Sequence, residues 1–154
     1  MKSSGAAAIA TGGAGEVSAR SRIAQTKKRS TKRKVNAPGA PRAAGPYSHA
    51  IIAGNTIYVS GQGPFDPATG QMPSGFEDQA ARTLENIKTI LAAAGATMDD
   101  VVKVNVYLAD LSNFQKMNDV YRRFFKEPYP ARATIGSQLL LEMGIEIECV
   151  AVKS

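Results

Sequence analysis

The octet Gly144-Ile145-Glu146-Ile147-Glu148-Cys149-Val150-Ala151 constrains this chain more than any other stretch. A β-strand turns successive side chains to opposite faces, so Ile145 and Ile147 share one side and Glu146 and Glu148 the other. Such a strand belongs in a sheet with one packed face. Carboxylates on the face turned away need water, a ligand or a partner subunit.

The elements around it follow from periodicity and punctuation. Ser48–Ala53 and Thr56–Ser60 read as two strands joined through Gly54-Asn55, a tight hairpin signal. Gly61 to Ser74, with its glycines and prolines, reads as a loop. Ser74 and Glu77 form a capping-box pattern ahead of a helix, Leu84, Ile87, Leu91 and Ala94 make its apolar stripe, and Gly95 stops it. Val102, Val104, Val106 and Leu108 alternate as a strand. Ser112 is placed to cap a second helix carrying Phe114, Met117, Tyr121 and Phe124, ended by Pro128. Strands at about 131–138 and 144–152 close the chain. The order is ββαβαββ, an α+β two-layer sandwich in which both helices cover one face of a mostly antiparallel sheet. The other face has no helix left to cover it, yet it carries Tyr58 and Tyr107, which points to self-association.

The charge is divided unevenly. Residues 1–36 hold nine Lys/Arg against Glu16 alone, or +8, while residues 37–154 hold ten Lys/Arg against twelve Asp/Glu, or −2, which together give the net +6. The segment 1–36 also lacks an apolar period and cannot offset its ordering entropy, so it reads as a disordered basic tail, with the domain at 37–154. Its run Lys27-Lys28-Arg29-Ser30-Thr31-Lys32-Arg33-Lys34 is read first as solvated charge, then as part of an organelle transit segment, then as a nuclear or nucleic-acid-binding tail. Cys149 is the only cysteine and His49 the only histidine, which excludes an intramolecular disulfide and argues against a zinc site of the usual ligand types. No apolar run has the length to span a bilayer, and no compact secretory segment opens the chain. The expected location is the cytoplasm, with a mitochondrion or plastid as the alternative through a transit segment in 1–36, and no membrane partner.

Four motifs then stand in order: Gly45-Pro46-Tyr47-Ser48, Val59-Ser60-Gly61-Gln62, Tyr129-Pro130-Ala131-Arg132-Ala133-Thr134 and the alternating octet. In that order, over roughly residues 35–154, the chain resembles the RidA/YjgF family of small imine and enamine deaminases. The resemblance implies a chorismate-mutase-like fold assembled as a homotrimer, with active sites in clefts between subunits. It implies that Arg132 binds the substrate carboxylate, that Glu146 positions the hydrolytic water, and that Tyr47 lines the pocket across a subunit boundary. Ser60, Gly61, Asn118 and Thr134 join them as substrate-binding positions. Thr134 stands where the family often has cysteine, which should alter pocket packing and thiol reactivity more than hydrolysis. His49 stands where relatives often have glutamine and reads as a strand or rim residue.

The residues by themselves leave other readings open. A guanidinium can grip a carboxylate with two parallel hydrogen bonds, but arginines in ordinary structural ion pairs are common. Glu146 and Glu148 share a face, and either can be a solvated or salt-bridged strand carboxylate. Tyr47 can pack one end of its ring and hydrogen-bond the other. Gly61 permits close approach of backbone to a ligand. Gly61-Gln62-Gly63 lacks the third glycine and helix start of a dinucleotide loop, so that function is rejected.

The expected activity is hydrolytic deamination of reactive 2-imino acids and their enamine tautomers, such as 2-aminoacrylate, to 2-keto acids and ammonia, with no cofactor and no metal. Its rivals are an RNA-directed role, as translation inhibitor or ribonuclease, and a ligand-binding regulator that has lost turnover. The basic tail favours the RNA reading, and nucleic acid is expected to bind through that tail only. The slightly acidic domain, without an RNA-reading aromatic motif, opposes it.

Overall fold

The protein is described here by a computed structural model covering residues 31–153. Its strands are β1 (Arg33–Val35), β2 (Ala50–Ala53), β3 (Thr56–Gln62), β4 (Val101–Leu108), β5 (Ala131–Gly136) and β6 (Ile145–Val152). Two helices, α1 (Phe76–Ala93) and α2 (Phe114–Phe124), follow β3 and β4. The sheet runs β1-β2-β3-β6-β4-β5, with β4 and β5 parallel and every other pair antiparallel. The last strand is thus inserted between β3 and β4, and both helices are crossovers that return the chain to the same side of the sheet.

The alternation in the octet becomes the floor of the core. Ile145, Ile147, Cys149 and Ala151 are buried, while Glu146, Glu148 and Val150 lie half-buried on the opposite face. Against the first set pack Ala80, Leu84, Ile87, Ile90 and Leu91 of α1 and Met117, Val120 and Tyr121 of α2. On the opposite face Tyr58 and Ile135 remain about half exposed, so the α+β two-layer architecture leaves one sheet face without a covering layer.

The turns explain where the elements stop. Gly54, at φ +64°, makes the β2–β3 hairpin, which sets Ala53 opposite Thr56. At the end of α1, Gly95 lies at φ +74°, its N–H donating to Ala92 O and that of Ala96 to Leu91 O. Those two bonds make a Schellman cap, which glycine favours because it has no β-carbon to clash in the left-handed region.

Several sequence expectations are corrected. Strand β1 pairs Val35 with Ala50 and buries Val35, so order begins inside the segment expected to be a structureless tail. The expectation for residues 1–30 lies outside the described residues. The capping box at Ser74 and Glu77 does not form: Gly75 is the N-cap of α1 and makes no side-chain cap bond. Nor does Ser112 cap α2. Asp110 accepts from the Ser112 N–H at 2.8 Å and caps a short 3-10 turn at Leu111–Asn113, and α2 starts one residue later. The register of β4 against β6 shifts between Val101 and Lys103, which turns Val102 outward while Val101 is buried in its place.

Candidate functional site

On the uncovered face, β3, β6 and the loop before β2 enclose a cleft of about 560 Å³. Tyr47, Ser60, Gly61, Glu146 and Glu148 line it, together with the unanticipated Phe65 and Met143. A larger groove of about 690 Å³ between the helices holds none of the expected site residues, and its Lys88 is paired with Glu85.

Loop geometry delivers the wall of the cleft. His49 Nε2–H donates to the Pro41 carbonyl at 2.8 Å, and Ser60 Oγ–H donates to the Ser48 carbonyl at 2.7 Å. The first bond closes the segment before β2 on itself, and the second ties it to β3. Tyr47 turns back on this segment, its hydroxyl accepting from the Ala44 N–H at 3.0 Å. On the other side, Asn86 of α1 donates to the carbonyls of Gly63 and Phe65, at 3.0 and 2.9 Å. Gln79 accepts from the Gly144 N–H at 2.9 Å and fixes the entry to β6. A buried amide with its donors satisfied in this way rigidifies what it holds.

The two carboxylates on the floor differ sharply. Glu148 Oε1 accepts from Tyr107 Oη at 2.8 Å and from Asn105 Nδ2 at 2.9 Å. Glu146 makes no side-chain hydrogen bond or ion pair with any described residue, and it leans over the α-carbon of Gly61, where a β-carbon would collide with Oε1. Burial, and then the neighbouring charge of Glu148, push the Glu146 carboxyl above its ordinary 4.5. The Tyr107 hydroxyl is raised chiefly because it donates to Glu148. Gly61 therefore serves close approach, as expected, but the group that approaches is the Glu146 carboxylate.

Arg132 is elsewhere. It pairs in register with Val104, which pairs with Cys149, so its side chain lies on the helix-covered face while Glu146 lies on the other. There Arg132 Nη2 donates to Asn118 Oδ1 at 2.8 Å, and the guanidinium carbon sits 4.7 Å from the Tyr121 ring centroid. No carboxylate lies within 4.0 Å of it among the described residues, so the ordinary ion pair is not formed there. Thr134, two residues on, shares this face, and its buried hydroxyl has no partner among the described residues, like that of Tyr121. Burial raises the Tyr121 hydroxyl to about 12 and the Cys149 thiol to about 12, so neither ionises near neutral pH. One chain thus gathers Tyr47, Ser60, Gly61 and Glu146 in one place and Arg132, Asn118 and Thr134 in another. Asn105 and Tyr107 were not anticipated as site residues, although the odd positions of the β4 alternation put them on the carboxylate face. Among the described residues no cluster of three or more His, Cys, Asp or Glu could hold a metal ion, and no helix is long and apolar enough to cross a membrane.

Comparison with known proteins agrees with this architecture. A RutC family protein of Pyrococcus horikoshii is 50% identical over 116 residues, which are 74% of this chain and 92% of that protein. The 2-iminobutanoate/2-iminopropanoate deaminase of Dermatophagoides farinae is 42% identical over 125 residues, 80% of this chain and 98% of that one. The crystal structure of RidA from an Antarctic Psychrobacter superposes with a TM-score of 0.77 at 44% identity, covering 79% of this chain and 99% of that one. That of Escherichia coli TdcF with bound serine gives 0.76 at 38% identity, with the same coverage. The family model described as Endoribonuclease L-PSP matches residues 37–153, and with these relatives it makes the chain a member of the RidA/YjgF family.

Proposed function

We propose that this protein is a cofactor-independent deaminase that hydrolyses 2-imino acids and their enamine tautomers to 2-keto acids and ammonia. The observation that carries the reading is the contrast between the carboxylates. Glu148 accepts two side-chain donors on Oε1, whereas Glu146 accepts none from the described residues, is raised in pKa and is set in a cleft. A general base has to reach the proton it takes and has to hold a pKa near its working range. The relatives named as deaminases support the same activity.

The reaction needs few parts. An enamine first takes a proton on its terminal carbon and gives one up from nitrogen to become the imine. Glu146 removes a proton from water as its oxygen bonds to the imine carbon, and the imine nitrogen gains a proton to give a carbinolamine. The amino nitrogen then takes up a proton as the hydroxyl gives one up, the C–N bond breaks, and ammonia departs from the new 2-keto acid. Arg132 holds the substrate carboxylate with its fork of donors. Because Arg132 and Glu146 lie on opposite faces of one sheet, the complete site takes Arg132, Asn118 and Thr134 from one copy and the Tyr47–Glu146 cleft from a neighbour. A trimer closed about the uncovered face meets that need and covers Tyr58 and Ile135.

The test is to generate 2-aminoacrylate enzymatically and follow pyruvate and ammonia with and without the protein. Acceleration is expected, with Arg132→Ala abolishing it and Arg132→Lys restoring little. Release no faster than the spontaneous rate would refute the assignment.

A further inference from the structure

Glu148 does not face the substrate role alone, and its surroundings indicate what it does instead. Register across β4 and β6 sets Tyr107 opposite Glu146 and Asn105 opposite Glu148. Both donors converge on one oxygen, Glu148 Oε1, at 2.8 and 2.9 Å. A carboxylate oxygen that accepts two such bonds has its orientation fixed. Glu146, two residues away on the same face, receives nothing comparable. We propose that Glu148 is a positioning residue for hydrolysis, a carboxylate locked by Tyr107 and Asn105 that acts through its charge on the neighbouring Glu146. The inference rests on the deaminase reading given above.

The other groups around Glu146 do not supply this effect. Strand β3 brings Ser60 and Gly61, neither of which titrates. Strand β4 brings Tyr107 and, further along the same face opposite Val150, Lys103. The segment before β2 brings Arg42, Tyr47 and His49 to the cleft. Neither Arg42 nor Lys103 forms an ion pair with Glu146 or Glu148. Of the charged neighbours, Glu148 is the one that raises the Glu146 carboxyl, after burial.

The sign of the consequence is fixed. Glu146 acts as a base only when ionised, so activity fails as pH falls through its raised pKa. Removing the Glu148 charge lowers that pKa and moves the acid limb of kcat/KM to lower pH. It also weakens the base, so the rate near neutrality falls.

The test uses Glu148→Gln, which can still accept from Tyr107 and Asn105 while losing the charge. Rates would be measured from pH 4.5 to 9 with 2-iminopropanoate formed in situ by excess amino-acid oxidase. The expected result is an acid limb displaced to lower pH, a severalfold fall in kcat at neutral pH and an unchanged KM. Glu148→Asp keeps the charge and should keep the wild-type limb. If Glu148→Gln does not fold, Asn105→Leu/Tyr107→Phe/Glu148→Leu removes the acceptor with both its donors and tests the same limb. An unmoved limb in a folded, active variant overturns the proposal, as does a loss as complete as that of Glu146→Gln. Wild-type protein with no effect on any imine would instead remove the deaminase reading itself, a separable outcome.

Discussion

At Gly61 the absent side chain is itself a structural element. Its backbone is not in the left-handed region, so alanine is tolerated by the chain, yet the added methyl would enter the volume held by Glu146 Oε1. Gly61→Ala should therefore fold with a nearly unchanged thermal midpoint and lose about 10²-fold or more in kcat, the scale of a misplaced general base. Glu146→Gln should lose a similar factor while a carboxylate ligand still binds, as calorimetry can check. Arg132, Glu146, Tyr47 and Gly61 could be singled out because they stand in short local motifs that carry the family resemblance. Tyr107 and Asn105 could not, because they act on Glu148 across a strand pair whose register is set only when the sheet assembles. For the same reason the sequence was silent on the opposite facing of Arg132 and Glu146, which depends on how β5 aligns with β4.

Among the elements, α1 carries both the core and the site. Its apolar stripe packs on β6, and its buried Asn86 reaches over to pin Gly63 and Phe65 at the cleft wall. Asn86→Leu would leave those two carbonyls without that donor, and a loss of roughly 1–3 kcal/mol is expected by urea denaturation, with a raised KM. At the other end, Gly95→Ala forces a β-carbon into a left-handed residue beside Lys153 Nζ and should destabilise by about 1–2 kcal/mol without changing kcat per folded molecule. The apolar periods of α1 and α2 were readable because burial follows the 3.6-residue repeat. Their N-caps were misread for a local reason. Extended Gly75 places Ser74 outside α1, and the 3-10 turn after Asp110 uses up the cap before α2 begins.

For the whole molecule, the separation of Arg132 from Glu146 makes a prediction about mixtures. Arg132→Ala and Glu146→Gln chains, each inactive alone, should regain part of the wild-type activity when unfolded and refolded together, since some shared sites then receive both intact residues. No recovery, with mixed oligomers verified by mass spectrometry, would place both groups in one chain's site. The amino-terminal boundary is equally testable. A chain starting at Lys32 keeps β1 and should match the full chain in stability and turnover, and any salt-sensitive RNA binding should fall with the basic residues before it. A chain starting at Ala37 loses the burial of Val35, worth roughly 1.5–3 kcal/mol. Strand β6 has a consequence of another kind. It is read by parity, odd positions 145–151 serving the core and positions 146 and 148 the cleft. Deleting a single residue within it would exchange those duties at every later position, sending isoleucine to the cleft and glutamate under the helices. Insertions and deletions among descendants of this chain should therefore collect in the exposed 137–142 turn and be absent from 145–152.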